Sequence, residues 1–198
     1  VFSIGVAVGS LLCERLSGHK VEIGLVPFGS IGMTLFGVDL YFAHRDVALL
    51  HDQAVMTLLA QPSTWRVLAD LALMALFSGF YLVPLFALIQ SRSARDQVSR
   101  VIAANNILNA AFMVLASVLA VVLLNRVGLT IPELLLYTAL LNAVVAVYIY
   151  TLVPEFLLRF VAWIVSNTLY RLRVEGLDKI PDEGPALIVC NHVSFMDP

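Results

Sequence analysis

Four apolar stretches, each about as long as a bilayer is thick, leave this chain one solvent to fold in. They run approximately Gly24–Phe42, Leu68–Gln90, Val101–Leu124 and Leu134–Val153. A helix needs about 20 residues to cross the hydrocarbon layer. Inside that layer unpaired backbone amides are too costly for any open structure, so each stretch is predicted to be helical. The composition agrees: 60% of the residues are hydrophobic and 13% charged, against about 25% charged in a soluble domain. A chain this apolar cannot cover a water-facing surface, and the fold class expected for most of it is a mainly α, polytopic membrane helix bundle. An earlier apolar run, Val1–Leu12, is too short to span. It lacks the basic region and small-residue cleavage site of a signal peptide. It reads as the end of a span begun upstream, and both ends of the sequence read as cuts. Cys13 and Cys190 stand in unrelated contexts, which indicates neither a disulfide framework nor a metal site.

The basic residues orient the spans. Arg15, Lys20, Arg92, Arg95, Arg100, Arg159, Arg171, Arg173 and Lys179 fall on one side, and Arg45, Arg66 and Arg126 on the other, which accounts for all twelve. Lys and Arg concentrate in cytoplasmic loops, so the first group and the C-terminal segment are expected in the cytoplasm.

Polar groups within the spans are few. Asn105, Asn106 and Asn109 cluster near the start of one helix, with Asn105 and Asn109 one turn apart, and Asn142 lies in the last span. Such amides can line a path for a polar head group. They can equally hydrogen-bond between helices, a contact worth about 0.6–2 kcal/mol. With no charged residue at the centre of the spans, the second reading is favoured. Asp39 and Asp70 are expected near the outer ends, where a carboxylate reaches water, so neither is expected to relay protons. Gly29, Gly32, Gly37, Gly79 and Pro84 suit close packing and kinks.

Two segments carry a family likeness. The loop Leu12-Cys13-Glu14-Arg15-Leu16-Ser17-Gly18-His19-Lys20 with Glu22-Ile23-Gly24 is one. Gly79-Phe80-Tyr81-Leu82-Val83-Pro84-Leu85-Phe86-Ala87-Leu88-Ile89-Gln90, leading into Ala103-Ala104-Asn105-Asn106, is the other. Residues 1–153 resemble the C-terminal half of a major facilitator superfamily transporter of the lysophospholipid-transporting branch. The likeness implies the later spans of a twelve-span bundle with its C-terminus in the cytoplasm.

Beyond the last span, Pro154 opens a shorter apolar stretch. Glu155, Arg159, Ser166, Tyr170 and Arg173 form one stripe at helical spacing, opposite Leu157, Leu158, Val161, Ile164 and Val165. Residues 154–170 are therefore expected to form an amphipathic helix. It either lies at the cytoplasmic lipid boundary, with Trp163 as an anchor, or packs on a neighbouring domain. From Arg171 charge rises, and Gly176, Pro181, Gly184 and Pro185 mark turns. Ala186-Leu187-Ile188-Val189-Cys190 reads as a buried strand ending at Asn191-His192, the place where α/β folds put their chemistry. Asp197 follows His192 by five positions. A carboxylate on one imidazole nitrogen fixes the tautomer and lets the other act as general base on an alcohol. By itself the spacing is weak, with a chance match on the order of 10–30%.

Its surroundings are denser. Arg173-Val174-Glu175-Gly176-Leu177, Ile180-Pro181, Glu183-Gly184-Pro185-Ala186-Leu187-Ile188-Val189 and Asn191-His192-x-Ser194-Phe195-x-Asp197 together resemble the opening of the glycerolipid acyltransferases, of the 1-acylglycerol-3-phosphate and 2-acylglycerophosphoethanolamine types. The resemblance implies a truncated α/β domain over residues 171–198. His192 would deprotonate a glycerol hydroxyl and Asp197 would orient it. The acyl donor would be a thioester of acyl carrier protein or coenzyme A, with no bound cofactor or metal. The family's later blocks would lie past Pro198, so this segment is expected to be inactive by itself. The combined expectation is a protein of the bacterial inner membrane whose partners are membrane lipids and lysophospholipid, with no role for nucleic acid. It would carry a lysophospholipid inward and reacylate it. The alternative is a transporter with a non-catalytic cytoplasmic tail.

Overall fold

The computed structural model describes residues 1–17, 22–45 and 55–168. Those residues are almost entirely helical and contain no strand. In chain order the helices are α1 (Phe2–Leu16), α2 (Leu25–Arg45), the short α3 (Val55–Leu59), α4 (Pro62–Arg92), α5 (Val98–Val122), α6 (Ile131–Leu152) and α7 (Pro154–Thr168). A π-helical turn, Leu123–Val127, extends α5. Among the described residues, four helices are long and apolar enough to cross a membrane: Leu25–His44, Pro62–Arg92, Val98–Val127 and Ile131–Leu152. Each covers one of the expected spans to within a residue and extends past it at one end or both. The 31 residues of α4 rise about 46 Å at 1.5 Å per residue, well beyond a hydrocarbon layer of about 30 Å. Polar flanks such as Pro62–Arg66 and Cys13–Leu16, which lie outside the apolar stretches, thus belong to helix ends. A helix that already satisfies its own amides has no reason to stop at the lipid boundary.

Local sequence signals set the joints. Gly128 adopts a left-handed φ of 79° after the π turn. Thr130 and Glu133 then form a reciprocal capping box at the start of α6: the Thr130 amide donates to Glu133 Oε2 at 2.8 Å, and the Glu133 amide to Thr130 Oγ1. Two orphan amides are satisfied together. Pro154 occupies the first position of α7, where its missing N–H costs nothing.

In packing, α4 lies against α1 and α2, and α2 against α4 and α6. The approach of α1 to α4 is unusually close. A β-carbon on Gly79 would stand 2.6 Å from the Ser10 amide nitrogen, and one on Gly9 would stand 2.0 Å from the Leu76 carbonyl oxygen. Small residues let membrane helices gain dispersion contacts that lipid tails cannot replace. Two buried clusters hold one end of the bundle. Cys13, Leu25 and Phe80 are packed by Phe28, Phe77 and Trp163. Ile23, Val26 and Phe156 are packed by Tyr81, Leu85 and Ile149. Helix α5 contrasts with these. None of its residues is buried, and a cleft of about 370 Å³ parts its Ala116–Ala120 face from Leu134 to Leu141 on α6. In water a helix apolar on all sides would need covering, whereas lipid solvates it.

The chain divides into two compact units, Val1–Trp163 and Ile164–Pro198. That boundary falls inside α7, because Phe156 is buried in the bundle and the Trp163 ring stands 6.4 Å from that of Phe28. The first part of α7 is therefore a packed element of the bundle. Leu157, Leu158 and Val161 remain exposed on it, an apolar stripe suited to lipid. Glu155 pairs with Arg159 at 3.1 Å and reaches Arg92 at 3.9 Å.

Candidate functional site

Besides the Glu155–Arg159–Arg92 group, the described residues bring polar groups from different helices together in two places. The first is the seam between α2 and α6. Ser30 and Thr34 lie one turn apart on α2, and Asn142 and Tyr150 two turns apart on α6, so each pair presents a single face. The Asn142 side-chain amide donates to the Ser30 carbonyl at 3.1 Å and to Thr34 Oγ1 at 2.9 Å. Thr34 Oγ1 donates in turn to the Ser30 carbonyl at 2.9 Å, and Ser30 Oγ to the Pro27 carbonyl at 3.1 Å. The single Ser30 hydroxyl proton being committed to Pro27, the Ser30–Tyr150 hydroxyl contact is donated by Tyr150. The result is a fully connected network within an otherwise apolar interface, which fixes the register of the two helices.

Clefts flank this seam. One of about 290 Å³ is lined by Ser30, Ile31, Leu35, Ala146, Val147 and Tyr150. The other, of about 230 Å³, is lined by Met33, Gly37, Met74, Leu135, Ala139 and Asn142 among others. Both have almost wholly apolar walls, and neither contains a charged side chain. They suit hydrocarbon chains and would exclude an ionic head group, whose desolvation nothing there offsets.

The second assembly joins α2 to α4. Arg66 grips Asp39 through both carboxylate oxygens, with Nη2 to Oδ1 at 2.6 Å and Nε to Oδ2 at 3.4 Å. Asp39 is exposed to solvent through 39% of its side chain, as the sequence led us to expect. Asp70 departs from that expectation. It is only 4% exposed, because α1 and α2 both close over this part of α4. Its Oδ2 has no hydrogen-bond partner among the described residues.

Asn105 and Asn109 both sit on α5 as expected, one turn apart. They lie on the helix that contributes no buried residue, with Asn109 exposed and Asn105 half-buried. Neither lines the two clefts beside the α2–α6 seam. The interhelical role weighed for amides belongs instead to Asn142. Ser30, Thr34 and Tyr150 were passed over in the sequence; two hydroxyls four positions apart in one apolar span, and a hydroxyl eight positions from an amide in another, are the signal that points to them. His192 and Asp197 lie outside the described residues, as do the expected strand Ala186–Cys190 and the rest of the expected α/β domain.

Comparison with protein-family models, with curated proteins and with solved structures finds no match to this chain.

Proposed function

We propose that the protein moves lysophospholipid across a bacterial inner membrane and reacylates it on the cytoplasmic side. The observation that carries this reading is the ordered segment Asn191-His192-x-Ser194-Phe195-x-Asp197, set directly after an apolar strand-like run and joined in one chain to a bundle of membrane-spanning helices. In this reading His192 is the general base that takes the proton of a glycerol hydroxyl. Asp197 holds the imidazole in the required tautomer, and the hydroxyl attacks an acyl thioester of acyl carrier protein or coenzyme A. The 9:3 asymmetry of basic residues supports a cytoplasmic position for the catalytic segment. The apolar clefts along α2 and α6 support a cargo with a hydrocarbon chain. Tethering the two activities raises the effective concentration of one site for the product of the other without any new contact.

The test uses full-length protein in membranes. His192→Ala should lower acylation of added lysophospholipid by about 10²–10⁴-fold, the usual worth of a positioned general base, while leaving membrane insertion and lysolipid uptake intact. Acylation at the parental rate would refute the assignment of His192.

A further inference from the structure

We infer that Asp70 is a proton-binding site, held as a neutral carboxylic acid between α2 and α4 by the Asp39–Arg66 pair. Three observations on the structure converge. Asp70 is 4% exposed, and an ionised carboxylate buried to that degree needs a cation or several donors of its own. Its Oδ2 is unpartnered among the described residues, and the cation one turn away, the Arg66 guanidinium, is engaged by both oxygens of Asp39. Asp70 also lies one turn from Arg66 on the same face of α4, which sets it beside the Asp39 carboxyl that Arg66 grips. Two carboxylates offer only acceptors, so a bond between them exists only when one carries a proton.

The charges and atoms then balance. Asp39 is anionic and neutralised by Arg66. Asp70 gains a proton from water on Oδ1, forming an O–H bond that donates to Asp39, and Oδ2 is left as an uncharged carbonyl oxygen. The assembly carries no net charge. Loss of that proton to water would leave two adjacent carboxylates sharing one guanidinium, one of them buried with a bare anionic oxygen. Repulsion and desolvation would both favour separating α2 from α4 until water reaches Asp70. Among the described residues, α2 adds His44 and Arg45 beyond Asp39, and α1 begins at the Val1 amino terminus. Helix α1 carries no charged side chain before Glu14, at its opposite end, and α3 carries none at all. Protonation of Asp70 is thus linked to closure of the α2–α4 seam, independently of transport or acyl transfer.

Infrared difference spectroscopy on the full chain in lipid nanodiscs tests this at about pH 6, where ordinary carboxyls with pKa values near 4 are ionised. Subtracting the Asp70→Asn spectrum from that of the parent should leave a protonated-carboxyl C=O band that shifts in heavy water. Asp39→Asn removes the neighbouring negative charge and frees Arg66 for Asp70, so the band should be lost; this serves as the second readout if Asp70→Asn fails to fold, and a band left unmoved would overturn the proposal. A difference spectrum holding only carboxylate bands would overturn the proposal. So would carboxylate bands that respond to added NaCl at constant pH, because Asp70 would then bind a metal cation and not a proton.

Discussion

Replacing Asn142 by Leu removes two hydrogen bonds that cross from α6 to α2, to the Ser30 carbonyl at 3.1 Å and to Thr34 Oγ1 at 2.9 Å. Hydrogen bonds between membrane helices average about 0.6 kcal/mol and reach about 1.7, because the unfolded chain in lipid also finds partners. The two bonds together therefore stabilise the seam by about 1.2 kcal/mol, with an upper bound of about 3.4. Part of that comes back, since Leu is better solvated than Asn wherever the site opens to lipid. The single mutant cannot separate these effects. A double-mutant cycle with Thr34→Val can, because the Asn142–Thr34 bond is absent from both single mutants and from the double mutant alike. We expect a coupling energy near 0.6 kcal/mol from reversible unfolding of the full chain in bicelles. The Thr34 bond to the Ser30 carbonyl is lost in both arms that carry Val and cancels. A coupling energy indistinguishable from zero would mean that the polar seam is not closed in the membrane, and the account of α2–α6 register would fall with it.

Two further outcomes follow from the packing and the charge asymmetry. Gly79→Leu should detach α1 from α4 and cost at least the 1–3 kcal/mol typical of overpacking, because even the first added carbon would stand 2.6 Å from the Ser10 amide nitrogen; an unchanged unfolding midpoint would show that the two helices do not meet there. In a cysteine-free background, an impermeant thiol reagent added to intact cells should label Arg126→Cys but not Arg95→Cys, both positions being exposed on the protein; the reverse pattern would invert the topology.

The spans were legible from the sequence because lipid simplifies the problem. In hydrocarbon the backbone must satisfy itself, so some twenty apolar residues specify a helix almost regardless of their identity, and α2, α4, α5 and α6 each match the stretch expected to within two residues or extend past it. The joint at α6 was also local, written in Gly128, Thr130 and Glu133. What hydropathy could not show is which helices touch, since lipid is as apolar as the residues it would have to distinguish. That was decided by shape and by a few polar atoms. The glycines at 9 and 79 bring α1 onto α4. Asn142 finds Ser30 and Thr34, while Asn105 and Asn109, of the same chemistry, sit on a helix with no buried residue. The fate of Asp70 is the sharpest case. Its place near a helix end says that water is close, and only the packing of α1 and α2 over α4 takes that water away. Burial is a property of neighbours that the linear order does not contain.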